Sequence, residues 1–168
     1  MKKKLMVISF AIVLTMALAV SVSTSALAVK PIHQASGGGN LEWSTSSYNV
    51  TFGFVAHQID QEGNAKGQLQ ANTVVGDEII DYSHGEVIYL AVNTATGEAW
   101  MGCNVTESSQ VLPGTEFVWR VQDNGQGNGA TGPDMTSYLN IRPAIDALSM
   151  PSDVQLVYEW TNGNVQVK

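Results

Sequence analysis

The sequence contains a single cysteine, Cys103, among 168 residues. One cysteine cannot form an internal disulfide, and a chain of this length can bury a stable core without cross-links. Cys103 alternates with Met101 and Val105 in AWMGCNVT. This spacing predicts a buried, inert position on a strand, and the alternative is a reactive or intermolecular thiol.

Only one long hydrophobic run is present, from Leu5 to about Val22. Three lysines at positions 2–4 precede it, and Ala26-Leu27-Ala28 follows it as an A-x-A cleavage site. This order is typical of a secretory signal peptide, here of bacterial type, and predicts cleavage after Ala28 and a secreted, extracellular protein. A retained membrane anchor is the alternative, because the run approaches the length of a membrane span.

Basic residues are scarce, with eight Lys and Arg against fifteen Asp and Glu. Signal cleavage would remove three lysines, leaving five basic and fifteen acidic residues and a net charge of −10. A surface this acidic repels nucleic acid and anionic lipid, so we expect neither nucleic acid nor a membrane as partner. The expected partner is an extracellular ligand, either a polysaccharide, a protein or a small molecule.

Helical periodicity is almost absent, and alternation of apolar and polar residues dominates. YNVTFGFVAHQI and TEFVWRVQD both alternate with a period of two, which predicts half-buried antiparallel strands. RPAIDALSMP predicts one short helix near residues 143–149. VQLVYEW and NVQV predict a closing hairpin around Asn162-Gly163. Two strand-like runs joined at His84-Gly85 are predicted within DEIIDYSHGEVIYLAV.

About eight or nine short strands with one minor helix predict an all-β fold, either an antiparallel β-barrel or a β-sandwich. The stretch 29–41 (VKPIHQASGGGNL) has no periodicity and predicts a flexible leader. The expected organisation is therefore a signal peptide at 1–28, a leader at 29–41 and a single β-rich domain at 42–168.

The glycine-rich stretch VQDNGQGNGATGPD offers oxygen ligands at Asp123, Asn124, Asn128 and Asp134. Carboxylate and amide oxygens suit calcium, so a calcium site is one interpretation. The match to an EF-hand loop is loose, because Asp134 stands at the twelfth place and no helices flank the loop. A long surface turn, in which Asp and Asn bond their own backbone, is the other interpretation. A phosphate-binding loop is not supported, because neither a basic residue nor a following helix is present.

Two histidines and a carboxylate, His57, Asp81 and His84, raise the question of hydrolysis or of a transition-metal site. On a strand, residues 81 and 83 share one face while residue 84 points to the other. No G-x-S-x-G motif accompanies them. We therefore assign no catalytic residue, and a secreted hydrolase stays an alternative only.

Four tryptophans are present. Trp119 and Trp160 lie on alternating apolar faces and are predicted to belong to the core. Trp43 and Trp100 stand near polar residues, which makes them candidate platforms for a ligand such as a sugar ring.

The order of several short segments resembles a group of small secreted bacterial proteins described as post-COAP-1-like domains. The segments are TFGFVA, GNAKGQLQ, DYSHGEV, AWMGCNVT, VQDNGQG with Asp134, and WTNGNVQV. The resemblance spans roughly residues 48–167, and it departs from the group's pattern at Ala71, where an aromatic residue is usual. It implies secretion and a β-rich fold, and it supplies no activity and no catalytic residues.

These observations favour a non-enzymatic extracellular binding or cell-surface module. A calcium-stabilised extracellular domain is the first alternative. A secreted hydrolase or a small-ligand carrier of the lipocalin kind, with a hollow barrel, is the second.

Overall fold

The computed structural model describes residues 32–42 and 48–168, and these form ten strands and two 3-10 helices. The strands are β1 (Gln34–Glu42), β2 (Tyr48–Gln58), β3 (Asn64–Val75), β4 (Glu78–Asn93), β5 (Glu98–Ser108), β6 (Glu116–Gln122), β7 (Met135–Ser137), β8 (Asn140–Ile141), β9 (Leu156–Glu159) and β10 (Asn162–Val167). The 3-10 helices are Gly127–Gly129 and Ala144–Ser149. The predicted signal peptide and Trp43 lie outside the described residues. Among the helices described, none has the length and apolar character to cross a membrane.

The strands form one antiparallel, curled sheet in the order β10-β1-β2-β3-β4-β5-β6-β7-β9, with β8 paired to β6. This confirms the prediction of an all-β antiparallel fold. The predicted short helix is also confirmed at Ala144–Ser149, where it has 3-10 geometry. The element predicted as two runs joined at His84-Gly85 is the single strand β4, which has a register shift against β5 at that point.

The inner face of the curled sheet carries the main core. In β2, Phe54 and Ala56 are buried while Val55 and His57 are exposed, as the alternation predicts. Trp119 and Trp160 are buried in the same cluster, which confirms their assignment to the core. Because successive strand residues point to opposite faces, the apolar set of each strand faces inward together.

A second, smaller core covers the outer face of β5 and β6. Trp100 and Val118 pack there against Ala147 and Val154, from the segment around the helix Ala144–Ser149. Two polar contacts hold this segment. The Ala144 N–H donates to the Glu116 carboxylate (2.8 Å), and Nη1 of Arg120 donates to the Val154 carbonyl (3.0 Å).

The prediction of a flexible leader is wrong for residues 34–41, because β1 begins at Gln34 and lies between β2 and β10. Ala35 is fully buried there. Three successive glycines, residues 37–39, give this strand little β-propensity by themselves. Because glycine has no side chain, these residues allow the neighbouring strands to approach closely. β1 is therefore stabilised by its pairing with β2 and β10. Residues 29–31 lie outside the described residues.

The prediction of a closing hairpin is also wrong, because β9 and β10 do not pair with each other. β9 pairs with β7, and β10 pairs with β1. Trp160, between them, donates its backbone N–H to the Asp134 carbonyl (2.9 Å). The chain thus passes directly from one edge of the sheet to the other, which requires the sheet to curl until its edges approach.

Candidate functional site

A cavity of about 150 Å³ lies on the inner face of the curled sheet, beside the main core. Two rows of paired residues across β1–β4 form one wall. The first row is Leu41, Val50, Thr73 and Asp81, and the second contains Phe52, Ala71 and Ser83. The small side chains of Ala71 and Ser83, both in the second row, leave the space open.

The opposite wall comes from the end of β7, from the two residues that follow it and from β9. It consists of Ser137, Tyr138, Leu139 and Tyr158. The rings of Tyr138 and Tyr158 meet edge to face, with centroids 4.7 Å apart and an angle of 82° between their planes. Tyr138 is 55% exposed, so this wall reaches solvent.

The cavity is apolar at its core side and polar at its rim. Phe52 stacks on Trp119 with ring centroids 5.4 Å apart, which fixes the aromatic side of the cavity against the buried core. At the rim, Oδ1 of Asp81 accepts a hydrogen bond from the Ser109 hydroxyl. The hydroxyls of Ser83 and Ser108 lie 2.9 Å apart and bond each other. An apolar pocket with a few polar groups at its edge is the usual form of a small-ligand site.

The three residues considered for hydrolysis do not converge. Asp81 pairs with Thr73, and His84 lies three positions further along β4, where it pairs with Gln70. His57 pairs with Gln34 and Lys66, near the other end of β2. The structure therefore gives no geometric support to a hydrolytic centre built from these three residues.

On the outer face of the sheet, His84 contacts a different carboxylate. Its Nδ1 lies 3.8 Å from Oε2 of Glu107, and the Tyr82 hydroxyl donates to Oε1 of Glu107 (3.2 Å). This hydrogen bond and the negative charge of Glu107 raise the pKa of Tyr82. Beside this cluster, Gln68, Gln70, Glu86 and Thr106 line a shallow polar groove with His84. Both features are open to solvent. The groove lies on the face opposite the cavity, whereas Tyr82 also borders the cavity.

The carboxylates proposed for calcium receive backbone N–H groups instead. Oδ1 of Asp134 accepts from Asn124 (2.9 Å) and Oδ2 accepts from Val165 (2.6 Å). Asp123 accepts from Gly125 (2.9 Å) and, through Oδ2, from Val167 (3.1 Å). We call these bonds the carboxylate seam, because they join the loop after β6 to the outer edge of β10.

The seam offers a role for this loop that does not require a metal. Asn124 uses its side-chain N–H to bond the Pro133 carbonyl (2.5 Å), and Asn128 is exposed in the first 3-10 helix. Within residues 32–42 and 48–168, no three His, Cys, Asp or Glu side chains are grouped as a metal site. The calcium site at Asp123, Asn124, Asn128 and Asp134 stays a prediction.

Trp100 does not serve as an exposed ligand platform, because only 4% of it is accessible. It packs in the smaller core, and the Arg120 guanidinium lies 4.8 Å from the centre of its ring. The sequence neighbourhood of Trp100 is polar, yet the segment around Ala144–Ser149 covers it. For Trp43 the platform stays a prediction, since this residue lies outside the described part of the chain.

Cys103 is fully buried in the main core, which confirms the predicted position. Burial raises the pKa of its thiol, because the thiolate would have to lose its hydration. We expect Ellman's reagent to label the native protein at least about a thousandfold more slowly than the protein in denaturant, because the buried thiol of the native protein reacts only after unfolding. Rapid labelling of the native state would contradict the burial of Cys103.

The residues that line the cavity were only partly accessible to sequence reasoning. The alternation in β2 places Phe52 on the inner face, and that expectation is met. Tyr138 and Tyr158 carried no recognisable signal, because Tyr138 follows the three-residue strand β7 and Tyr158 lies on β9, which has only four residues. The sheet curls so that its two edges, β9 and β10, approach each other at Trp160. This curl brings the two tyrosines opposite Phe52 and Leu41.

Comparison with known proteins provides no assignment. No family model, no curated protein and no solved structure matches this chain. The resemblance to the post-COAP-1-like group therefore stays a prediction, and any function must be argued from the residues themselves.

Proposed function

We propose that this protein is a secreted, non-enzymatic binding module that takes a ring-sized, largely apolar group into the cavity between β1–β4 and Tyr158. The observation that supports the proposal is the cavity itself. It is bounded by Leu41, Val50, Phe52 and Tyr158, and it opens at the exposed Tyr138. The predicted signal peptide would place this module outside the cell.

The size of the cavity limits what it can hold. An apolar cavity of about 150 Å³ is sufficient for benzene, and most drug-sized pockets are larger. The ligand group is therefore a single ring or a compact branched group. Six or so heavy atoms contribute at most ~9 kcal/mol, so the dissociation constant is expected in the micromolar to millimolar range.

Binding rather than catalysis is favoured by the chemistry of the lining. Apart from Asp81, the side chains of the inner wall are apolar or carry hydroxyl groups. The Ser83 hydroxyl bonds Ser108, and the Ser137 hydroxyl accepts the Arg120 N–H (2.9 Å). Neither serine has a histidine as hydrogen-bond partner among the described residues, so neither is arranged as an activated nucleophile.

A filled cavity tests the proposal. Thr73→Phe places a ring in the space, and we expect it to abolish binding of ring-sized probes such as toluene in ligand-observed NMR. Gln70→Phe is the matched control, because Gln70 lies on the same strand but faces the outer groove. Circular dichroism checks that both variants are folded. If Thr73→Phe binds the probes as well as the unmodified protein does, the cavity is not the site.

A further inference from the structure

We infer that the group bound in the cavity is a methylated, quaternary ammonium, held by an aromatic cage that consists of Phe52, Tyr138, Tyr158 and the carboxylate of Asp81. This inference rests on the proposed function and names the chemical class of its ligand. It is carried by the juxtaposition of three aromatic side chains and one carboxylate around a space of about 150 Å³.

The three aromatic residues come from separate parts of the sheet. Phe52 lies on β2, Tyr158 on β9, and Tyr138 directly after β7. The edge-to-face arrangement of Tyr138 and Tyr158 makes a corner, and Phe52 is held by its stack on Trp119. Aromatic rings that surround a small space attract a cation through the negative faces of their π systems.

The carboxylate supplies the charge that such a ligand needs. Oδ1 of Asp81 accepts from Ser109, whereas Oδ2 has no hydrogen-bond partner among the residues that the structure describes. No lysine, arginine or histidine from the described residues lines the cavity. A half-buried carboxylate with no cation beside it favours a positively charged ligand.

The methylated form is favoured over a primary ammonium by the hydrogen-bonding capacity of the walls. A primary ammonium has three N–H donors, each of which needs an acceptor once it leaves water. The Ser83 and Ser137 hydroxyls already have partners in Ser108, Arg120 and the Tyr138 carbonyl. A quaternary ammonium has no N–H donors, so rings and a single carboxylate satisfy it.

The charge of the whole chain also favours a positively charged ligand. Acidic residues outnumber basic ones fifteen to eight. Both arginines are paired with carboxylates, Arg120 with Glu98 and Arg142 with Asp153. The field around the protein therefore attracts cations and repels anions.

Choline and 3,3-dimethylbutan-1-ol provide the test, because they have nearly the same shape and differ in charge. In calorimetric or NMR titrations of the purified protein, we expect choline to bind at least about tenfold more tightly, because desolvated cation–π contacts and the Coulombic attraction of a carboxylate both act on its positive charge. Asp81→Asn and Tyr138→Leu should each reduce this preference. Glu86→Gln, which removes a carboxylate from the groove on the outer face, should leave it unchanged.

The outcomes separate the two proposals. Equal or weaker binding of choline overturns the inference about charge, while binding of the neutral alcohol still supports the cavity as a site. Binding of neither compound up to the solubility limit overturns both. Tyr138 is exposed, so Tyr138→Leu is expected to fold, and an unchanged preference in that variant also overturns the cage.

Quaternary ammonium groups occur both as free solutes and as phosphocholine lipid headgroups. Sedimentation with phosphatidylcholine vesicles distinguishes the two sources. Choline binding without cosedimentation assigns the free solute. Cosedimentation that choline displaces, and that Asp81→Asn abolishes, assigns the headgroup.

Discussion

Asp134→Ala is expected to lower the free energy of unfolding by about 3–5 kcal/mol, since it removes two charge-assisted hydrogen bonds and leaves their donors without acceptors. Asp134 is 8% exposed, and its two oxygens accept the N–H groups of Asn124 and Val165. The outer edge of β10 would then lose half of the carboxylate seam. Urea denaturation followed by circular dichroism measures the loss.

Two further variants identify the cause of this loss. Asp134→Asn keeps one acceptor oxygen but turns an N–H₂ group toward a backbone N–H, so we expect a loss of stability smaller than that of alanine. Asp153→Ala is the control, because Asp153 is exposed and pairs only with Arg142 on the surface. It should leave the denaturation midpoint almost unchanged. If Asp134→Ala denatures at the same urea concentration as the unmodified protein, the seam does not stabilise the fold.

The same loop allows the calcium hypothesis to be tested separately. If the carboxylates serve only the seam, the melting temperature should be the same in EDTA and in millimolar calcium. A calcium site would instead raise the melting temperature through binding to the folded state alone. A rise that calcium produces, that magnesium does not, and that Asp123→Ala removes would establish the metal site.

Gly39→Ala is expected to destabilise the protein by about 3 kcal/mol or more, at the upper end of the range for overpacking. A Cβ atom at Gly39 would overlap the Asn162 carbonyl oxygen and would lie 2.7 Å from Cε3 of Trp160 and 2.8 Å from Cα of Gly163. Two of these three neighbours are backbone atoms of β10, so they cannot move without opening the pairing between β1 and β10. The free energy of unfolding in urea is again the measurement.

Gly53→Ala is the matched control for this prediction, because Gly53 also lies inside a strand. A Cβ atom there would meet no heavy atom within 4 Å. Alanine in place of glycine restricts the unfolded chain, so a change between zero and a gain of about 1 kcal/mol is expected. Equal losses for Gly39→Ala and Gly53→Ala would show that close approach of the strands is not the reason for the glycine in β1.

The parts of the fold that could be predicted are those specified by neighbouring residues. Alternation in β2, β5 and β6 placed Phe54, Cys103 and Trp119 in the core, and the structure confirms each of them. β1 could not be predicted, because glycines 37–39 carry no side chains from which a period can be seen. That strand forms because β2 and β10 supply its hydrogen bonds.

The wrong predictions of a closing hairpin and of an exposed Trp100 have a common physical cause. The Asn162-Gly163 pair is a strong local hairpin signal, yet β10 pairs with β1, which lies more than a hundred residues earlier. Trp100 has polar neighbours in sequence, yet residues 144–154 bury it. Long-range packing decided both, and local sequence patterns do not report it.

The candidate site depends on long-range packing even more strongly. Phe52 and Tyr158 share the cavity although they are far apart along the chain, and Asp81 joins them only through the register of β3 and β4. For Asp123 and Asp134, in contrast, the local sequence did suggest a site, but of a different kind. Their sequence spacing suggests a metal loop, and the three-dimensional arrangement uses their oxygens to hold the edge of β10.

The most direct test of the cavity as a binding site is a map of amide chemical shifts during titration with choline and with its neutral isostere. The cavity account predicts saturable shifts concentrated at Leu41, Ala71 and Tyr158, whichever compound binds more tightly. Shifts confined to Gln68, His84 and Thr106 would place binding in the outer groove instead. Those shifts, or the absence of any saturable change, would contradict the proposed site.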